Sequence, residues 1–194
     1  MSTTTQTNKN TKLFKYISLI TLIVGMIYSV ILPFCWGNNP FDVMGTLSIL
    51  CESRKIFFWI WILFDGGAML MNFYYMYEKF GGANKLIRII PVIALICGIG
   101  IAATLGHDVT TWNPKRIVHW VFTGLYVVFL ALSVAVYALK NIKKGKSFIV
   151  MLVGVLIALG VFLAWFLILG KSGMLELVPH TLLEILLVII NFII

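Results

Sequence analysis

Three histidines and seven carboxylates make up this chain's stock of groups suited to acid–base or ligand chemistry near neutral pH, with three cysteines beside them. Four of them, Asp65, His119, His180 and Glu184, fall inside long apolar runs, and His107, Asp108 and Glu176 fall at the ends of such runs. An ionisable group held in hydrocarbon costs on the order of 3 kcal/mol, so each is expected to serve a function. His180 and Glu184 are four residues apart and share a helix face, as do His119, Thr123 and Tyr126. At about 1.5 Å per residue, His119 lies roughly 5 Å and His180 roughly 9 Å down their helices, and Asp65 and Glu184 reach about 14–15 Å. These faces together describe a polar funnel open to the outside, rimmed by His107 and Asp108 and closed at Asp65 and Glu184.

Three chemistries suit such a set. His107, His119 and His180 are imidazole ligands for a divalent metal such as zinc, with Asp65 or Glu184 as a carboxylate ligand or general base. Without a metal, the same groups with Thr123, Tyr126 and Glu176 form a binding pocket for a lipid headgroup or small solute. They also suffice to pair with one another and hold helices together. If the chain is an enzyme, Glu184, His180 and Asp65 are the catalytic candidates, and lipid hydrolysis or acyl transfer is the class. Two rivals are a transporter using Asp65 and Glu184 as proton or cation sites, and a non-catalytic, immunity-type partner of another membrane protein.

The elements that position these residues follow from composition. The chain is 61% hydrophobic and 11% charged, with a mean hydropathy of +1.02. A soluble domain is about half apolar and a quarter charged, because its surface must face water. The apolar residues come in unbroken runs of helix-spanning length rather than in the alternating pattern of barrel strands. The expected fold is therefore an all-α integral membrane bundle of about six transmembrane helices, near residues 13–33, 56–77, 86–105, 117–139, 148–169 and 174–194. Residues 1–12 read as a disordered cytoplasmic tail and 13–194 as one six-helix domain. The run Leu13–Pro33 is too long for a signal-peptide core and lacks an Ala-x-Ala site, so it reads as a retained helix.

Basic residues set the expected orientation. Ten of them (Lys9, Lys12, Lys15, Lys79, Lys85, Arg88, Lys140, Lys143, Lys144 and Lys146) fall on one side. Five (Arg54, Lys55, Lys115, Arg116 and Lys171) fall on the other. That bias places both termini in the cytoplasm of a plasma-membrane protein. The net charge of +8 is accounted for by these loops and anionic lipid, and no nucleic-acid partner is expected.

Smaller features carry weaker expectations. Cys35 and Cys51 lie in one external segment, as a disulfide or as thiols, and Cys97 packs as a small apolar residue. Phe41–Leu50 is too short to span and suits an interfacial or re-entrant helix. Gly66 and Gly67 would let a neighbour approach Asp65 closely. Pro91 and Pro179 are expected near helix starts, where they cost little.

With these elements placed, the first external loop Asn39-Pro40-Phe41-Asp42-Val43-Met44-Gly45, the polar segment before His119 and the acid Glu184 in the last helix form an ordered set. In that order the chain resembles a bacterial six-helix membrane family of unknown function. That family is grouped with the Frag, DRAM and Sfk proteins and with the lipid-remodelling factor of GPI-anchor maturation. Its loop commonly carries Ser where this chain has Asp42. The resemblance implies a protein that handles membrane lipid, with Asn39, Asp42, His119 and Glu184 as the matching positions and no established catalytic set.

Overall fold

The computed structural model describes residues 3–35, 39, 41, 49, 51, 54–106, 113–170 and 172–194, with the backbone alone for 3–12, 33, 169 and 176. Six long helices account for nearly all of these residues: α1 (Thr3–Ile31), α2 (Lys55–Phe80), α3 (Lys85–Ala103), α4 (Pro114–Asn141), α5 (Lys146–Leu169) and α6 (Gly173–Ile193). Each contains a stretch long and apolar enough to cross a membrane, the one in α1 being Leu13–Ile31. No strand occurs among the described residues.

The helix ends follow local chemistry. Asn84, Asn113 and Ser172 accept hydrogen bonds from the backbone N–H of Ile87, Arg116 and Leu175, so each satisfies one of the orphan donors that open α3, α4 and α6. Pro114 follows Asn113 at the first helical position, where its missing N–H is no loss. Gly81 (φ 67°) and Gly170 (φ 71°) end α2 and α5 in the left-handed region that favours glycine. Pro91 and Pro179 lie further in than expected. Each is the seventh residue of its helix, past the first turn, and so removes the N–H that would bond the carbonyl four residues back, Ile87 or Leu175.

α1 packs on α2 and α6, α2 on α3, α3 on α4, α4 on α5 and α5 on α6, so the helices close into a ring in chain order. α2 and α6 also touch across that ring. The outward faces are apolar on every helix, with Ile20, Leu63, Ile96, Val128, Leu156 and Ile185 exposed. In water such a surface would drive association. The interior instead gathers the polar side chains, Ser18, Ser29, Asp65, Asn72, His119, Ser133, His180, Glu184 and Asn191 among them.

At the Lys79 end side-chain donors reach backbone carbonyls across the helices, while Ser18 Oγ and Asn191 Oδ1 have no partner among the described residues. Asn72 Nδ2 donates to the carbonyls of Ser18 and Ala68, both at 2.9 Å, and Asn191 Nδ2 donates to the Asn72 carbonyl at 3.0 Å. The last turn of α6 is a π turn, Ile189–Ile193, and Lys79 Nζ donates to its Ile190 and Asn191 carbonyls at 3.0 and 2.9 Å. Lys79→Met is therefore expected to lower stability by about 1 kcal/mol and to fray the end of α6. Thermal unfolding and hydrogen exchange at 189–193 check it, and unchanged exchange would remove Lys79 as the cap.

Cys35 is exposed and Cys51 buried, and no disulfide joins them. Cys97 is buried in the apolar core. The expectation for Phe41–Leu50 falls mostly outside the described residues.

Candidate functional site

Asp65, His180 and Glu184 meet in the interior although the first lies 115 residues from the second. The middle of α2 is a π segment, Trp61–Asp65, which adds a residue to the turn and brings Trp61, Ile62 and Asp65 all to the buried side. His180 Nε2 stands 2.5 Å from Asp65 Oδ2 and 3.9 Å from Glu184 Oε1. The three side chains are at most 4% exposed. Asp65 Oδ1, both Glu184 carboxylate oxygens and His180 Nδ1 have no hydrogen-bond partner among the described residues.

Two rings hold the imidazole. Trp61 lies 5.3 Å from it at 58°, and Tyr126 lies 6.1 Å from it at 22°. Trp61 is itself fixed, because its Nε1 donates to Ser29 Oγ of α1 at 2.7 Å. α1 also supplies Gly25, where a Cβ would collide with Asp65 Oδ1. The close approach to this carboxylate is thus made by Gly25. Of the two glycines expected to allow it, Gly66 lies against Leu95, and a Cβ at Gly67 would meet nothing within 4 Å.

His180 also forms part of the wall of a chamber of about 350 Å³ between α4, α5 and α6, floored by Phe58 and Trp61 of α2. Its walls are mostly aliphatic and aromatic, with His119, Thr123, Tyr126 and His180 as the chief polar side chains. Asp65 and Glu184 do not line it; they pack behind the His180 ring. The wall residues that are also exposed, Trp120, Gly124, Val128 and Phe166, belong to α4 and α5, so the chamber opens sideways between those helices. The expected funnel is therefore an apolar recess with polar points, and its acids are set back from the space.

The remaining sequence candidates separate. His119 is buried, with Nδ1 3.0 Å from Thr104 Oγ1, and Thr123 Oγ1 donates to the His119 carbonyl at 2.9 Å. The three residues whose donor atoms all lie within 4.8 Å of one another are Asp65, His180 and Glu184, a group that does not include His119. His107, Asp108 and Asp42 lie outside the described residues, and of Glu176 only the backbone, in α6, is described. Asn39 accepts a hydrogen bond from the Phe41 N–H at 3.1 Å. Gly25 and Ser29 were not among the sequence candidates, since a glycine and a serine in an apolar run carry no chemical signal of their own.

When the imidazole is neutral, Nε2–H donates to Asp65 and Nδ1 keeps its lone pair, so the ring is oriented as a base or acceptor. When it is protonated, both nitrogens donate. Over the described residues, fold and site together define an all-α protein with six helices long and apolar enough to cross a membrane and a buried imidazole–carboxylate cluster beside a lateral apolar chamber. Comparison with protein-family models, curated proteins and solved structures found no match to this chain.

Proposed function

We propose that this chain is an integral protein of the cell membrane, with both termini cytoplasmic, that binds a lipid in the chamber between α4, α5 and α6. The observation that carries the reading is the sideways opening between α4 and α5 onto an apolar outer surface. A ligand entering there comes from the bilayer rather than from water. The volume of about 350 Å³ is at the lower end of the range for small-molecule sites, which suits one lipid tail or a compact lipid. His119, Thr123, Tyr126 and His180 supply the few polar contacts that orient such a ligand. Asp65 fixes the His180 ring, so a lipid hydroxyl or ester brought to the imidazole would meet an oriented proton acceptor. A transport path has less in its favour, because the Asn72–Asn191 and Lys79 contacts tie the other end of α2 and α6 together.

Gly124 tests this reading with little risk to the fold. It lies in the chamber mouth, and a Cβ there would meet nothing within 4 Å. Gly124→Leu is expected to keep or raise thermal stability by about 0.5–1 kcal/mol, since glycine weakens a helix interior. The same change should cut the lipid mass retained in native mass spectrometry from mild detergent by roughly tenfold, equivalent to about 1.4 kcal/mol of binding. Undiminished lipid on this variant, or a wild-type chain that carries none, would overturn the reading.

A further inference from the structure

The buried cluster behind the chamber brings two carboxyl groups and one imidazole together and leaves several of their atoms without a partner among the described residues. Two carboxylates, Asp65 and Glu184, face a single imidazole, and no Lys or Arg ion pair reaches either of them among the described residues. Glu184 is fully buried, yet neither of its oxygens has a donor, and Asp65 Oδ1 is in the same position. A buried carboxyl group without donors is costly as an anion, so it holds a proton, pairs with a cation or binds a metal. Here all three side chains point their donor atoms into one space, within 4.8 Å of one another.

We infer that Asp65, His180 and Glu184 form a binding site for a divalent transition metal of the zinc type. The ligands are His180 Nε2, Asp65 Oδ2 and the Glu184 carboxylate, with the fourth position taken by water or ligand. Mixed imidazole and carboxylate donors suit zinc and its neighbours, whereas calcium and magnesium prefer oxygen alone. At metal–ligand distances of about 2.0–2.2 Å, the donors around a tetrahedral ion stand roughly 3.3–3.6 Å apart. The 3.9 Å between Nε2 and Glu184 Oε1 is a little wider than this, and the 2.5 Å between Nε2 and Asp65 Oδ2 is the spacing of a proton bridge. The metal takes the place of that proton, and its binding releases protons held by the cluster. Trp61 and Tyr126 fix the ring plane, and Gly25 sets α1 against the Asp65 carboxylate, so two of the three ligands are held before the ion arrives. This ligand set differs from the three-histidine set expected from sequence, and it does not depend on what fills the chamber.

The test uses the full chain in mild detergent, stripped with chelator and reloaded with zinc or cobalt alone. Elemental analysis should find about one zinc per chain. Zinc should raise the melting temperature of the stripped protein, as any ligand specific to the folded state does. Glu184→Gln keeps the side-chain shape and removes a carboxylate ligand, and should weaken zinc binding roughly tenfold or more. Where that variant fails to fold, the cobalt spectrum of the wild-type chain still decides. Visible d–d bands without thiolate charge transfer support the site, and thiolate charge transfer would place the metal on a cysteine and overturn it. No bound metal with no zinc-dependent melting shift, or zinc affinity unchanged in Glu184→Gln, also overturns it. Lipid loss in Gly124→Leu with zinc binding intact separates this site from the chamber reading.

Discussion

Asp65→Ala is expected to destabilise the protein by about 3–5 kcal/mol, the usual cost of removing one member of a buried pair and stranding the other. Asp65 is 1% exposed and its carboxylate sits 2.5 Å from the His180 ring, so the truncation takes away the partner of Nε2. It also leaves Glu184 as the sole acid beside the imidazole at 3.9 Å. His180→Ala should fall in a similar range, for the same reason seen from the other side. The double variant should lose less than the sum, with a coupling of about 1–3 kcal/mol, because each single change has already broken the shared contact. Asp65→Asn retains an acceptor for Nε2–H and should lose much less than Asp65→Ala. Equilibrium unfolding in detergent measures all four. A cost under about 1 kcal/mol for Asp65→Ala would mean that the pair does not hold α2 to α6.

The second large effect comes from a residue with no side chain. Gly25→Val should destabilise by about 1–3 kcal/mol from overpacking alone. The atom that a new Cβ would strike is Asp65 Oδ1, and that carboxylate is held by His180, so it has little freedom to step aside. If it is displaced, the Asp65–His180 contact is lost as well and the cost approaches that of Asp65→Ala. Gly67→Ala is the matched control. Its Cβ would meet nothing within 4 Å, and the better helix propensity of alanine should stabilise by about 0.5–1 kcal/mol. The same unfolding assay compares the two, and equal behaviour at Gly25 and Gly67 would show that α1 does not press on the site.

These two positions show where sequence reasoning stops. Asp65, His180 and Glu184 stand out in the chain because an ionisable group in an apolar run is expensive and therefore conspicuous. The i, i+4 spacing of His180 and Glu184 places them on one face, and so does that of His119 and Thr123. Helical periodicity says which residues share a face, but not which other face they meet. That Asp65 turns toward His180 depends on the π segment at Trp61–Asp65 and on α2 crossing to touch α6. The chamber is apolar because α5 contributes Val155, Ala158, Leu159 and Phe162 to it, residues that resemble any other part of an apolar run. Gly25 and Ser29 are silent for the same reason.

The sequence by itself determined that the chain is helical, that six segments are long and apolar enough to cross a membrane, and which few polar residues lie within them. Those properties are set residue by residue, through hydropathy, run length and capping side chains such as Asn84, Asn113 and Ser172. Only the tertiary structure decided that three of those polar residues share one buried space, that α1 closes it through Gly25, and that His119 belongs to the chamber wall instead. The physical reason is that these contacts join residues up to 119 positions apart (Asp65 to Glu184), and packing among apolar faces chooses between arrangements that the pattern along any one helix leaves equivalent.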